Sequence, residues 1–206
     1  MAGISFFKGS ARSITAWGDY GDILQHGMTM HSPRVDGRLA LERTGPYIPP
    51  ITFPGRSIIL TDAARTLLES SGLTTFSFVP VEKKLIVELH WESWNLSAEE
   101  PANYPSAGEP EDYILGKPHS QKLADAMGDV WEVILTDGAV VDTEIEREPS
   151  DYDVRVHIAT WKGAHLFWGK KPDAFFGRWI IVTERGKRWL EENAGEWVRF
   201  KAMPVK

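Results

Sequence analysis

Phe53-Pro-Gly-Arg-Ser-Ile-Ile-Leu-Thr-Asp62 returns 122 residues later as Phe175-Phe-Gly-Arg-Trp-Ile-Ile-Val-Thr-Glu184. Across residues 53–69 and 175–191, eight of seventeen positions are identical: Phe53/Phe175, Gly55/Gly177, Arg56/Arg178, Ile58/Ile180, Ile59/Ile181, Thr61/Thr183, Leu68/Leu190 and Glu69/Glu191. Each copy carries the signals of a strand that runs into a capped helix. The Ile-Ile pair suits a buried strand, Thr61 or Thr183 offers an N-cap oxygen, and Leu67-Leu68 or Trp189-Leu190 forms the apolar helix stripe. Gly72 and Gly195 stop the helices. An aromatic strand then ends in Pro-Val in both copies, Phe76-Ser-Phe-Val-Pro80-Val81 and Trp197-Val-Arg-Phe200-Lys-Ala-Met-Pro204-Val205. Two β-α-β units are therefore expected, at 53–81 and 175–205. For the glycines and isoleucines a purely fold-building role is the simpler reading, whereas Arg56 and Arg178 suit either a carboxylate inside the fold or a site.

Working outward, residues 1–50 are rich in turn formers, with Gly18, Gly21, Gly27, Gly37, Gly45, Pro46, Pro49 and Pro50, which predicts short strands and long loops. Lys84 to Trp91 alternates as a half-buried strand. Residues 96–118 carry Pro101, Pro105, Pro110 and Pro118 among Glu99, Glu100, Glu109, Glu111 and Asp112, a composition of a long acidic loop. Ser120 is placed to cap a short helix bearing Leu123 and Met127 on one face and stopped by Gly128. Trp131 to Leu135 and Val154 to Trp161 read as strands, with Asp142 to Asp153 as a second acidic connection between them. Together these predict an α+β fold: a mixed, mostly antiparallel sheet with a few short helices around the two repeats. Residues 1–206 are read as a single compact unit, with two lobes, 1–95 and 119–206, joined by the acidic loop, as the alternative.

The chain has 206 residues, 42% hydrophobic and 25% charged, as ordinary folded domains have. It contains no cysteine, which excludes disulfides, thiol catalysis and thiolate metal sites. A formal charge of -6 disfavours a broad phosphate-binding surface and direct nucleic-acid binding, and fits a basic partner better. No apolar run approaches the ~18 residues of a spanning helix, and the start lacks the pattern of a secretory signal. A cytoplasmic address without membrane association is expected.

Catalytic motifs are missing from the sequence: no Gly-Lys-Ser/Thr phosphate loop, no Gly-x-Gly-x-x-Gly turn, no Gly-x-Ser-x-Gly elbow and no His-Glu-x-x-His helix. His26 and His31 sit five apart in a glycine-containing loop without metal-ligand spacing. A metal-dependent hydrolase or nucleotide-processing enzyme would have to assemble His90, Glu92, Asp151, Asp153 and His157 from strand ends, and a solvated turn explains Asp151 and Asp153 more simply. No catalytic residue, metal or cofactor is expected. Nine tryptophans and five tyrosines raise a second possibility, a binding surface. Periodicity assigns Trp91, Trp131 and Trp189 to the core. Trp94, Tyr104 and Tyr113 fall outside any regular face and stand among Glu99, Glu100, Glu109, Glu111 and Asp112, so these eight residues are the candidate partner-binding set.

The repeated element, Ser57-Ile-Ile-Leu-Thr-Asp…Leu67-Leu-Glu…Phe78-Val-Pro-Val81 and Trp179-Ile-Ile-Val-Thr-Glu…Trp189-Leu-Glu, resembles the end segments of bacterial polymorphic-toxin immunity proteins, notably cysteine-free relatives of the myxobacterial double-CXXCG family. The likeness spans about a quarter of the chain, and the absence of cysteine removes the zinc-knuckle part of that family. The resemblance implies a non-catalytic cytoplasmic protein that neutralises one cognate toxin by occluding its active site. A nucleic-acid-directed toxin would present a basic cleft, to which an acidic, aromatic-bearing loop is complementary.

Overall fold

The computed structural model describes residues 5–11, 29, 33–44, 49–54, 57–88, 116–136, 139–147, 152–170, 179–195 and 197–206. Among them are twelve strands and three α-helices. The strands are β1 (Phe6–Ala11), β2 (Ala40–Thr44), β3 (Ile51–Thr52), β4 (Ile59–Thr61), β5 (Phe76–Pro80), β6 (Glu82–Val87), β7 (Val130–Leu135), β8 (Val140–Arg147), β9 (Tyr152–Val156), β10 (Leu166–Lys170), β11 (Trp179–Thr183) and β12 (Val198–Met203). The helices are α1 (Asp62–Ser70), α2 (Gln121–Ala126) and α3 (Glu184–Ala194). Most pairings are antiparallel, and β8–β10 and β2–β6 are parallel, so the fold is the expected α+β class with a sheet-dominated, mixed architecture. No helix among the described residues is long and apolar enough to cross a membrane.

Contacts divide the chain into two units. One contains residues 1–10, 66–77 and 133–206, and its sheet runs β12-β1-β11-β10-β8-β9. The last residues leave β12 and pair in parallel with β9 at Val156 and Val205, so this sheet curls until its two edges meet. Curling lets the strands bury one face against each other: Phe6, Val141, Val156, Phe167, Ile181 and Met203 form a shared core with Ala139 and Ala164. Phe6 stands edge-on to Phe167 and Trp161, at 5.8 and 5.6 Å between ring centres, the arrangement that brings a positive ring edge to a negative face.

The other unit contains residues 11–65 and 78–132. It is built on the sheet β3-β4-β7-β5 and the parallel pair β2–β6, which continues the chain from β5. Val35 and Arg38 close a tight hairpin over Asp36 and Gly37, both with positive φ, a turn chemistry that suits Asp-Gly.

The duplication extends beyond the residues that reveal it. Both Ile-Ile strands are central and buried, with Ile58, Ile59, Ile180 and Ile181 all in the core. Thr61 Oγ1 accepts from Ala64 N at 3.3 Å and Thr183 Oγ1 from Gly186 N at 3.5 Å, so both helices start on the expected cap. Thr61 N donates to Pro50 O and Thr183 N to His165 O, each at 3.2 Å. After the Pro-Val ending, Glu82 N donates to Leu39 O and Lys206 N to Val156 O, both at 2.9 Å. The first strands correspond too: Val130 and Trp131 face Thr61 and Leu60, as Phe6 and Phe7 face Thr183 and Val182.

Several local expectations need correction. Leu68 and Leu190 are buried, but Leu67 is 49% exposed and Trp189 only half-buried, because a helix lying on one sheet buries a single narrow stripe. Trp131 is also half-buried, since its place in β7 points it to the side where α1 only partly covers it; Trp91 lies outside the described residues. Gly72 has φ +70 and stops α1 in the left-handed region, whereas Gly195 closes α3 with helical φ −59. Asp142 to Arg147 is not a connection but strand β8, and β9 ends at Val156, followed by a 3-10 turn over Ile158–Thr160. Alternating acidic and apolar residues, as in Val140-Val-Asp-Thr-Glu-Ile, are compatible with a strand whose outer face is solvated. Ser120 caps α2 as expected, and Gly128 follows it with positive φ.

Gly186 yields a prediction. Alanine usually gains up to about 1 kcal/mol over glycine inside a helix. Here a Cβ would stand 2.2 Å from His165 O, a backbone atom already fixed by Thr183 N. Gly186→Ala is therefore expected to destabilise by about 1–3 kcal/mol through overpacking. A calorimetric melting temperature equal to or above that of the parent would contradict it.

Candidate functional site

The eight candidate binding residues, Trp94, Glu99, Glu100, Tyr104, Glu109, Glu111, Asp112 and Tyr113, lie outside the described residues, as do Arg56, Arg178, His26, His31, His90, Glu92 and Asp151. What the structure places is the base from which the acidic segment departs and to which it returns. The chain leaves β6 and re-enters at α2, and the two sides are joined. Ser120 N donates to Ile86 O at 2.6 Å, while Ile86 N donates to the Nδ1 of His119 at 3.0 Å. His119 Nε2 lies 3.3 Å from Gln121 Oε1, which helps fix the ring. Lys83, one turn of strand earlier, donates its ammonium to the carbonyls of Ala124 and Gly128, satisfying the C-terminal end of α2. Ile86 and Val87 are buried. Residues 86 and 119–120, on either side of the span between Glu88 and Gly116, are thus joined by one backbone bond and one bond to the His119 ring on a packed strand.

The same unit holds a buried carboxylate that the sequence reading did not single out. Glu132 on β7 is 3% exposed, and Arg34 grips it with two parallel bonds of 2.7 Å while Ser57 Oγ donates at 3.2 Å. Bidentate arginine–carboxylate pairs are strong and fix geometry. The bond from Glu132 is the main reason the Arg34 guanidinium is held still more firmly protonated. The signal was available: Glu132 shares strand parity with buried Val130, and an acid at an inward position requires a partner.

Each repeat also places a cation between two aromatic rings. The Arg65 guanidinium lies 4.9 Å from the Trp131 ring and 6.0 Å from Phe78; the Lys187 ammonium lies 5.2 Å from Phe7 and 5.9 Å from Phe200. The correspondence is position for position, with phenylalanine kept at 78 and 200 while the cation and the other ring differ. Asp62 anchors the first cluster, accepting from Arg65 Nε at 3.0 Å and from Trp131 Nε1 at 2.8 Å, and these bonds, Arg65 first, hold its carboxyl below the usual range. In the second, Glu191 pairs with Lys187 at 2.8 Å. Such clusters fasten a helix over a strand.

Of the residues of the alternative enzymatic reading, Asp153 and His157 are among the described ones. His157 Nε2 lies 3.6 Å from Glu144, whose carboxylate also takes Lys206 Nζ at 2.8 Å; the Lys206 bond chiefly holds Glu144 below its ordinary pKa. This group ties down the C-terminal residues. Asp153 stands on β9 opposite Glu146. Among the described residues no three His, Asp or Glu side chains converge as metal ligands would. His165 bonds through Nδ1 to Thr183 Oγ1 at 2.8 Å, and burial first, then Arg185, disfavours its protonation.

Comparison with protein-family models and with curated proteins finds no match for this chain.

Proposed function

We propose that this protein is an immunity protein: a non-catalytic, cytoplasmic binder that neutralises one cognate bacterial toxin by occluding a basic active-site cleft. The observation that carries the reading is the acidic, aromatic-bearing sequence from Trp94 to Tyr113, which lies in the chain between residues that the fold joins at Ile86, His119 and Ser120. A binding loop benefits when its ends are fixed, because less ordering entropy is lost on association. Five carboxylates, with no Lys or Arg after Trp94 until Lys117, supply long-range attraction to a basic partner. Trp94, Tyr104 and Tyr113 supply the apolar anchors that interface cores favour. The duplicated sheets are then the scaffold.

The proposal predicts that the reading frame immediately upstream encodes a large protein with a toxic C-terminal region, and co-expression with that region tests it. Restored growth together with a stoichiometric complex of the two proteins is the expected result. Continued killing by that region, with no complex on mixing the purified proteins, would overturn it.

A further inference from the structure

We propose that the two sequence halves of this chain are each other's binding partners, locked by a reciprocal exchange of their first strands, and that the acidic segment joining them is dispensable for that association. The inference is independent of the toxin reading and rests on strand order. In the first copy β4, α1 and β5 build a sheet in which the strand between β4 and β5 is β7; in the second, β11, α3 and β12 build a sheet in which the strand between β11 and β12 is β1. The registers make β1 and β7 equivalent: each runs antiparallel to its Ile-Ile strand and begins opposite the capping threonine, Phe6 at Thr183 and Val130 at Thr61. Yet β1 opens the first half of the sequence and β7 opens the second. Each half therefore completes the sheet of the other. The same arrangement would arise from a strand-swapped dimer of one repeat whose chains were fused end to end.

The exchanged strands are interior ones, so neither can leave without splitting a sheet and stranding backbone donors and acceptors on both neighbours. Side chains fasten them as well. On β7, Trp131 is held by Asp62 and Arg65, and Glu132 by Arg34 and Ser57, all from the first half. On β1, Phe6 is buried against Phe167 and Ile181, and Phe7 lies under Lys187, all from the second half.

A site-specific protease sequence inserted between Ala107 and Gly108 of the full chain allows the folded protein to be cut after folding. Complete cleavage, judged on a denaturing gel, is expected to leave one species that elutes with the uncut protein in native size exclusion, including after extensive dilution. Two separately eluting fragments, or loss of one fragment by precipitation, would overturn the proposal. The strands themselves are then tested in the cut protein. Phe6→Ala, and Trp131→Ala where the former does not fold, is expected to raise the concentration at which fragments separate by about tenfold or more, while exposed Lys162→Ala leaves it unchanged. Equal dissociation of all three variants would overturn the role of the exchanged strands.

Discussion

Truncating Ile181 to alanine is expected to remove about 2–5 kcal/mol of stability, enough to unfold a marginal domain. Ile181 is fully buried on β11, between Lys8 of β1 and Phe167 of β10 in register. Its Cδ1 fills the space over Gly169, where a built Cβ would approach to 2.9 Å, so shortening the side chain opens a void beside a residue with nothing to fill it. The strands on either side are hydrogen-bonded and cannot move inward, and Phe6 and Phe167 are set edge-to-face. Cavities that cannot collapse give the larger losses. Ile59→Ala, at the equivalent place on β4, is expected to fall in the same range, because Ile59 is likewise fully buried. Guanidinium unfolding measures both; a midpoint shift worth less than about 1 kcal/mol at Ile181 would mean that the central-strand account is wrong.

The parts of this fold that were legible are those written in local chemistry. The Ile-Ile strands, both threonine caps, the Ser120 cap and the Pro-Val endings all rest on residues whose preferences act within a few positions. Strand exchange was not legible, because β1 and β7 share geometry but little side-chain identity: Phe6-Phe7-Lys8 stands where Val130-Trp131-Glu132 does. Substitution hid the cation–aromatic clusters in the same way, Arg65 becoming Lys187 and Trp131 becoming Phe7. Beta-sheet partners are chosen by long-range pairing, and one sequence shows parity but not which strand lies alongside. At the candidate site, composition marked the acidic segment, but nothing in it announced that Ile86 and Ser120 would close its stem.

Reversing Glu109, Glu111 and Asp112 together to lysine is expected to slow association with the toxin by tenfold or more, on the order of the electrostatic steering range. The change replaces three negative charges with three positive ones in a segment that offers no basic partner between Trp94 and Lys117. The formal charge goes from -6 to 0, since each reversal adds two, so encounter with a basic cleft loses its long-range attraction, and the rate should become nearly independent of salt where the parent's rate falls. Thermal stability should stay within about 0.5 kcal/mol, as for surface substitutions remote from caps and core, since one backbone bond and His119 hold the stem. Dissociation separates the acids from the aromatics: Tyr104→Ala and Tyr113→Ala should speed release while leaving the salt slope of association intact, as anchors act after encounter. Stopped-flow association at several ionic strengths decides the matter. An unchanged rate and slope in the triple variant would remove the acidic segment from recognition and leave the toxin to be sought on the scaffold itself.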